Sequence, residues 1–435
     1  MKAYIIPPHY YILAIKVKII SPYLLLFFLF HLPNVNKANY QEKEVAYQLS
    51  DTVKTKTTGA PSIQNETPQK DLSDVFSSIF KKNHPKKNQP DTISSRPIFS
   101  IIPAVGYSLQ TKLAAVLSGN MAFKMSNTSR LSVISGSMTY TQNKQFYIPI
   151  QSNIWTKHHS FNLVGDYRFY KYPQSTYGLG SNAPKENENP MDYSLLRFYQ
   201  IVYKKVVGNL YGGIGYIVDY RWNISQKGIK NGTVSDYEKY GLSKSSLSSG
   251  ITINALYDTR DNIINASKGT YASVQLRNNL QTLGSHSNWF SLIMDARKFI
   301  HIKKSSKNVI AFWYYNWIIL KGKPPYLDLP SIGWDSYNCT GRGYIQGRFR
   351  GSKMIYLESE YRFGISSNGL LGGTIFMNAS SFSATQGTTY QKIQPGYGIG
   401  ARIKIKKKSK TNIGIDYGFG TMNSRGLFIN IGEYF

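Results

Sequence analysis

The sequence predicts an all-β fold, namely a sixteen-stranded antiparallel transmembrane β-barrel of the outer-membrane type with a short N-terminal helix. Three observations lead to this prediction. Segments of alternating apolar and polar residues fill residues 97–435, an apolar run near the N-terminus has the length of a secretion signal, and the chain ends on Phe435. The 34 tyrosines and 36 glycines suit such a barrel, because only its lipid face must be apolar.

Residues 1–38 are predicted to be a secretory signal peptide. Three lysines, at positions 2, 16 and 18, precede an apolar run over residues 23–30, and the small residue Ala38 follows. The run is too short to cross a bilayer, since a transmembrane helix needs about 20 apolar residues. We therefore expect a secreted chain.

Residues 39–96 are predicted to be a polar periplasmic linker, because their few large apolar side chains cannot bury enough surface to fold alone. Within the linker, residues 71–82 predict a short amphipathic helix with Asp71 as its N-cap. Its apolar positions recur at helical spacing: Leu72, Val75, Phe76, Ile79 and Phe80. We expect this helix either to pack against the barrel rim or fill the barrel mouth, or to dock a periplasmic partner or the inner leaflet.

The barrel is predicted to occupy residues 97–435. Its sixteen predicted strands cover 97–107, 111–124, 130–141, 145–154, 159–171, 193–207, 209–222, 246–257, 270–281, 287–301, 308–320, 353–363, 369–380, 395–405, 411–419 and 426–435. Connections over 174–192, 223–245 and 321–352 are long, whereas 208–209 is a tight turn. Short turns on one side and long loops on the other are typical of outer-membrane barrels.

The alternation is clearest in residues 161–170. One face carries Phe161, Leu163, Tyr167 and Phe169, and the other carries Asn162, Asp166 and Arg168. Charges that recur on one face fit a wet lumen better than a soluble core. A soluble β-sandwich is the alternative, but sixteen strands exceed what one sandwich usually holds.

A second pattern joins a loop motif to a strand. The tripeptide Arg342-Gly343-Tyr344 lies in a long loop, and the strand that follows places Glu358 and Glu360 on one face. A guanidinium inside a barrel lumen needs a charged partner, and a carboxylate suits its fork shape. Glu358 and Glu360 are therefore the candidate partners of Arg342. Gly343 allows a sharp bend, and Tyr344 can wedge against the barrel wall.

These motifs resemble the bacterial surface-antigen superfamily, which includes outer-membrane insertases and secretion pores of the BamA and TamA type. Further resemblances lie in residues 102–108, 257–262 and 268–271, and together they cover about residues 97–435. The resemblance implies that the loop between the eleventh and twelfth strands folds into the lumen. It also implies that Tyr434 and Phe435 form a C-terminal assembly signal.

The resemblance further implies a latch, in which Arg342, Gly343 and Tyr344 hold the loop inside and shape the seam between the first and last strands. Alternatively, Arg342 merely fills polar space in a static barrel. Insertases of this family carry periplasmic polypeptide-transport-associated (POTRA) domains. Residues 39–96 show no such pattern of strands and helices, so the chain resembles a barrel domain without evident POTRA domains.

The formal net charge of +29 would suggest a nucleic-acid partner in a soluble protein. We expect none, because the lysines are scattered through predicted loops without a nucleic-acid-binding motif. Solvated turns explain the charge, with attraction to anionic lipid head groups as the other explanation. The single cysteine, Cys339, allows no internal disulfide, and no metal or cofactor motif appears.

Seven histidines are present, but no catalytic serine motif accompanies them, so we do not expect an enzyme. The expected function is assistance with outer-membrane protein assembly, translocation or lipid handling at the barrel seam. A passive pore or a structural surface antigen is the alternative. The expected partners are outer-membrane lipids, together with client outer-membrane proteins or a periplasmic protein.

Overall fold

The computed structural model describes residues 69–72, 74–75, 97–126, 129–302, 308–336, 338–407 and 409–435. The predicted signal peptide, residues 1–38, and most of the predicted linker lie outside this part of the chain. Every described residue belongs to the compact unit that spans residues 65–435. Of the predicted helix 71–82, Leu72, Asp74 and Val75 are helical, and residues 76–82 lie outside the described part.

Seventeen strands of the described chain form one sheet. They are β1 (Ile98–Ser108), β2 (Lys112–Phe123), β3 (Ser132–Thr141), β4 (Phe146–Trp155), β5 (Phe161–Lys171), β6 (Gln174–Thr176), β7 (Asn189–Val207), β8 (Leu210–Gln226), β9 (Ser246–Asp258), β10 (Gly269–Asn279), β11 (Trp289–His301), β12 (Val309–Gly322), β13 (Lys353–Gly364), β14 (Leu371–Ser383), β15 (Gln394–Lys406), β16 (Thr411–Gly420) and β17 (Arg425–Ile431). One short helix, α1 (Asp236–Tyr240), lies between β8 and β9, and no helix in the described residues is long and apolar enough to cross a membrane.

The predicted number of sixteen strands is confirmed, because β5 and β6 act as one interrupted strand. Both pair with β7: Lys171 lies opposite Ser194, and Gln174 lies opposite Met191. The interruption falls at Pro173, which has no backbone N–H to donate to a ladder. The all-β, antiparallel barrel fold is therefore the one that the sequence predicts.

Predicted strand boundaries are wrong in two places. The hairpin of β7 and β8 continues into predicted loops, since the pairing reaches Met191 and Gln226. The final strand, predicted over 426–435, ends at Ile431. Gly432 then adopts a φ of +101°, which favours glycine, and the chain leaves the ladder at this point.

Each long strand pairs antiparallel with its neighbours in sequence, from β1–β2 to β16–β17. The order brings the two edge strands side by side, with Cα atoms of β1 and β17 within 8 Å of each other. Among the residues that the structure describes, no ladder joins these two strands. We call this junction the seam.

The two faces of the strands differ as the sequence predicts. In β5, Phe161 and Phe169 are exposed on the outer face, and Arg168 is buried on the inner face. In β13, Leu357 is 50% exposed, whereas Glu360 is 1% exposed. The outer face therefore suits lipid, and the inner face holds the charged residues.

The long connections over 227–245 and 323–352 lie at the same end of the barrel, because successive connections alternate between ends. Long loops face outward in outer-membrane barrels, so the opposite end is periplasmic. At that end Lys70 N donates to Asn368 O (3.0 Å), and Lys407 Nζ contacts Asp74 Oδ2 (3.1 Å). The described part of the predicted helix thus contacts the barrel rim.

Candidate functional site

The connection between β12 and β13, residues 323–352, lies inside the barrel, and we call it the lumen loop. Arg342 and Arg350 are among the most deeply buried side chains of the described chain. Asp335 shapes the loop locally, because its Oδ1 accepts the backbone N–H of Thr340 (2.8 Å). Burial raises the pKa of the nearby Cys339 thiol well above its usual value, so this thiol stays protonated.

The structure places Arg342 against both carboxylates that the sequence suggested. Its Nη2 donates to Glu360 Oε1 (2.6 Å) and to Glu358 Oε1. Its Nη1 donates to Asp416 Oδ2 (2.6 Å), on β16. Three carboxylates from two strands therefore hold one guanidinium that is 1% exposed.

Two further arginines extend this group of charges. Arg362 Nε donates to Glu360 Oε2 (2.7 Å). Arg402, on β15, pairs with Asp416, and its Nε donates to Glu433 Oε2 (2.7 Å). We call these seven residues the lumen charge cluster: Arg342, Glu358, Glu360, Arg362, Arg402, Asp416 and Glu433. It links the lumen loop, β13, β15, β16 and the segment after β17.

Two aromatic rings pack against the Arg342 guanidinium. Its central carbon lies 3.7 Å from the ring centroid of Phe376 and 4.3 Å from that of Tyr434. A cation over an aromatic face is attracted by the ring quadrupole, more strongly when water is excluded. Tyr434, predicted only as part of an assembly signal, is thus a direct neighbour of the loop motif.

Gly343 is required because the loop backbone lies directly on β16. Its φ is +102°, and a Cβ atom at this residue would lie 2.5 Å from Phe419 O. The barrel wall also needs glycine where the loop lies on it. A Cβ on Gly418 would lie 2.7 Å from Gly343 N, and one on Gly396 would lie 2.8 Å from Arg342 O. These glycines form a smooth surface for the loop.

Tyr344 packs against Gly420, at the end of the glycine surface that is next to the turn between β16 and β17. Its hydroxyl accepts the N–H of Thr421 (3.0 Å) and donates to Pro395 O. Ser424 Oγ donates to Gly343 O (2.7 Å). The motif is therefore bonded to the turn between β16 and β17, as well as to the strands.

Phe435 also lies in the lumen. Its ring centroid is 5.2 Å from that of Trp313 and 6.2 Å from that of Phe299. Arg362 Nη2 donates to Phe435 O (2.8 Å). The last residues are thus packed beside the lumen charge cluster, and their part in assembly stays a prediction.

The other side of the lumen loop reaches the opposite wall. Gln151 Nε2, on β4, donates to Ser336 O (2.6 Å), and Arg168 Nη1, on β5, donates to Asn338 Oδ1 (2.8 Å). The loop therefore crosses the lumen from β4 and β5 to β13–β16.

Between the lumen loop and the periplasmic end lies a cavity of about 1310 Å³. Trp334 and Ser336 border it at the loop, and Asp74 and Lys407 border it at the periplasmic end. Its lining includes consecutive residues of both edge strands, 104–106 on β1 and 429–431 on β17. The cavity therefore borders both strands of the seam.

Sequence reasoning missed Asp416, Arg402, Glu433, Phe376 and the glycine surface. A signal for this surface is present, because glycine recurs at every second position on the inner face of β15 and β16: Gly396, Gly398, Gly400, Gly414, Gly418 and Gly420. Glycine at alternate positions of a strand indicates that another backbone segment approaches that face closely. Asp416 interrupts this glycine series on the same face.

We predict that Arg342→Ala lowers barrel stability by about 3–5 kcal/mol, because it leaves buried carboxylates without their partner. The check is the temperature at which the folded form disappears in heat-modifiability gels. Arg348→Ala is the matched control, because Arg348 belongs to the same loop but donates to the carbonyl of Ala183 and not to a carboxylate. Equal losses in both variants would contradict this assignment.

We predict that Gly418→Val displaces the lumen loop, since its side chain would collide with Gly343. Limited proteolysis of the loop in the folded barrel should become faster. Gly119→Val is the control, because a Cβ at Gly119 has no neighbour closer than 4.0 Å. A loop that stays protected in Gly418→Val would refute the close approach.

Comparison with known proteins places the chain in a family. The model of the Omp85 superfamily domain matches residues 165–425. A search of curated proteins finds no match. The structure of BamA from Haemophilus ducreyi lacking POTRA domains 1–3 is similar, with a TM-score of 0.51 and 14% identity over 78% of this chain and 69% of that chain.

CdiB from Acinetobacter baumannii is also similar, with a TM-score of 0.50 and 10% identity over 77% of this chain and 59% of that chain. At these identities, both structures show the fold alone. The family model covers more than half of the chain, so the family predicted from the sequence is confirmed. This chain belongs to the Omp85 superfamily and is an integral β-barrel of the bacterial outer membrane.

Proposed function

We propose that this protein assists the assembly or translocation of outer-membrane polypeptides, or handles lipids, at the seam between β1 and β17. The observation that carries the proposal is the seam itself, where two adjacent strands share no ladder among the described residues. Unpaired N–H and C=O groups at a strand edge can template an incoming strand.

The two strands at the seam differ in length. β17 has seven residues, whereas β1 has eleven, so part of β1 extends beyond its neighbour. At the extracellular end, a Cβ on Gly426 would collide with the side chain of Leu109. This contact joins the turn after β1 to the start of β17 and shows where the two edges meet.

The lumen loop supports the proposal because it holds the strands next to the seam. Asp416 on β16 and Arg402 on β15 belong to the lumen charge cluster, and Ser424 binds Gly343 from the turn before β17. Movement of this loop would therefore change the position of the last strands. The latch role of Arg342, Gly343 and Tyr344 is part of this proposal.

A passive pore or structural surface antigen is the second candidate. The lumen loop weighs against an open pore, because it crosses between opposite walls. Two further contacts hold the lumen loop in place. Gly180 N, between β6 and β7, donates to Arg350 O (2.7 Å), and Trp334 Nε1 donates to Gln174 Oε1 on β6 (3.1 Å). Our proposal includes no catalytic step.

We predict that locking the seam stops the activity. The test is the double variant Leu109→Cys with Gly426→Cys in a Cys339→Ser background, since these two residues meet across the seam. Under oxidising conditions, the levels of other outer-membrane barrels should fall, and depletion of the protein should lower them to the same extent. A reductant should restore them, because it releases the seam.

The matched control locks a pair that is already joined by a ladder. Ser118 and Ser137 lie opposite each other on β2 and β3, so Ser118→Cys with Ser137→Cys should have no effect. If the seam disulfide forms fully and outer-membrane barrels and lipid asymmetry stay normal, seam opening is not needed. Single-channel conductance would then test the pore.

A further inference from the structure

The first strand, β1, contains a proline in the middle of its length. The nitrogen of Pro103 carries no hydrogen, so it cannot donate to a neighbouring strand. Even so, the pairing of β1 with β2 runs without a shift in register from Ile98 to Ser108. The missing donor does not disturb this ladder, which indicates that Pro103 faces away from β2.

The hydrogen bonds of β2 give the direction in which Pro103 faces. Gln142 N, just after β3, donates to Leu113 O (2.8 Å), so the backbone groups of Leu113 point toward β3. Backbone groups alternate between the two sides of an antiparallel strand, so those of Leu117 also point toward β3. Leu113 lies opposite Tyr107, and Leu117 lies opposite Pro103. Because neither member of such a pair bonds the other, Tyr107 and Pro103 turn their backbone groups to the seam.

A second proline shows what happens when a strand proline faces a paired neighbour. Thr141 N donates to Gln145 O (3.0 Å), so every second residue from Gln145 onward turns its backbone groups to β3, and Pro149 on β4 is one of them. Here the ladder between β3 and β4 skips residues 148 and 149. Pro149 thus interrupts a ladder inside the barrel wall, whereas Pro103 interrupts the series of donors at the seam.

The other edge of the seam ends at the level of Pro103. Leu109 and Gly426 meet at the extracellular end, and from there β1 and β17 run side by side toward the periplasm. Five residues from this contact lie Ala104 on β1 and Ile431, the last residue of β17. The chain leaves the ladder after Ile431. Strand β17 therefore accompanies β1 only as far as the proline.

On the periplasmic side of Pro103, no described strand pairs with the seam side of β1. Phe99 and Ile101 belong to the same alternate series as Pro103, so their N–H and C=O groups face the seam. Their side chains are 69% and 75% exposed on the lipid-facing side. The residues after β17 do not cover them, because Tyr434 and Phe435 pack inside the lumen. We call this part of β1, residues 98–102, the open edge.

We propose that Pro103 divides the seam in two and limits how far an incoming strand can pair with β1. An extended polypeptide with apolar side chains at alternate residues adds to the open edge through backbone hydrogen bonds. Its pairing stops at Pro103, because the donor is missing there, and β17 keeps its place beyond the proline. This inference rests on the proposed function for the arrival of the strand. It adds the residues that receive the strand and the residue that limits its length.

The test uses the full chain in nanodiscs and a biotinylated synthetic peptide with the sequence of β17, Arg425–Ile431. The photoreactive residue p-benzoylphenylalanine replaces, one at a time, the seam-facing residues Phe99, Ile101, Val105 and Tyr107. After irradiation we expect biotin on the protein from the first two positions and about tenfold less from the last two, where the peptide would have to displace β17. Equal labelling at all four positions, no labelling at any, or equal labelling by a peptide of shuffled order would overturn the inference.

A pair of proline variants tests the limit itself. Pro103→Val restores the donor, so the peptide should pair further along β1 and labelling at Val105 should rise about two- to tenfold, the effect of one backbone hydrogen bond. Pro149→Val is the matched control, because it restores a donor between β3 and β4 and should leave the labelling unchanged. No rise in Pro103→Val, or an equal rise in Pro149→Val, would overturn the role of Pro103. If Pro103→Val fails to fold by heat-modifiability, Pro103→Ala takes its place.

The direction of the backbone groups is tested by two neighbouring residues. Val105→Pro removes a donor that faces the seam, so the barrel should keep its heat stability. Ala104→Pro removes a donor to β2 and should lower the temperature at which the folded form disappears in heat-modifiability gels. Equal losses in the two variants would contradict the assignment of Pro103 to the seam side.

The outcomes separate this inference from the proposed function. Absent labelling of the open edge, together with loss of outer-membrane barrels when the seam is locked, would defeat only the inference about Pro103. Labelling that stops at Pro103, in a protein whose locked seam has no effect on the outer membrane, would defeat only the assembly role.

Discussion

The structure depends on the burial of the Arg342 guanidinium in the lumen. A buried charge is costly unless carboxylates and hydrogen bonds replace water. Here Glu358, Glu360 and Asp416 do so, and the rings of Phe376 and Tyr434 pack against the guanidinium. Because these partners come from β13, β14, β16 and the segment after β17, the guanidinium keeps its environment only when the lumen loop lies inside. The loop position and the charge pairing therefore stabilise each other.

The two sides of the barrel therefore differ in how they contact the lumen loop and in the charges that they carry. The side built from β13–β16 is bonded to the loop through charges and through the glycine surface, where the loop backbone replaces side chains. The side built from β1–β4 lines the cavity without charges. The seam lies where the two sides meet, and a strand of seven residues forms its later edge. Weak pairing at the seam is thus compatible with a stable barrel, because the stabilising contacts lie elsewhere.

Much of the fold could be predicted from period-two alternation, since a strand with one lipid face and one wet face repeats its chemistry at every second residue. The same alternation placed Glu358 and Glu360 on the lumen side, in reach of Arg342. It did not show that β7 and β8 continue past their predicted ends, because pairing of Met191 with Gln226 depends on the partner strand. Nor did it show that Tyr434 and Phe435 leave the ladder after Gly432, since an aromatic residue suits either environment.

The strand count, the two faces of each strand, the motif Arg342-Gly343-Tyr344 and the family could all be predicted from the sequence. These are local properties, carried by residues close together in the chain. The folded barrel was needed to see that Asp416 and Arg402 join the cluster, that the loop crosses to Gln151 and Arg168, and that the cavity borders both strands of the seam. The physical reason is that such contacts link residues far apart in the chain, and barrel geometry alone brings them together.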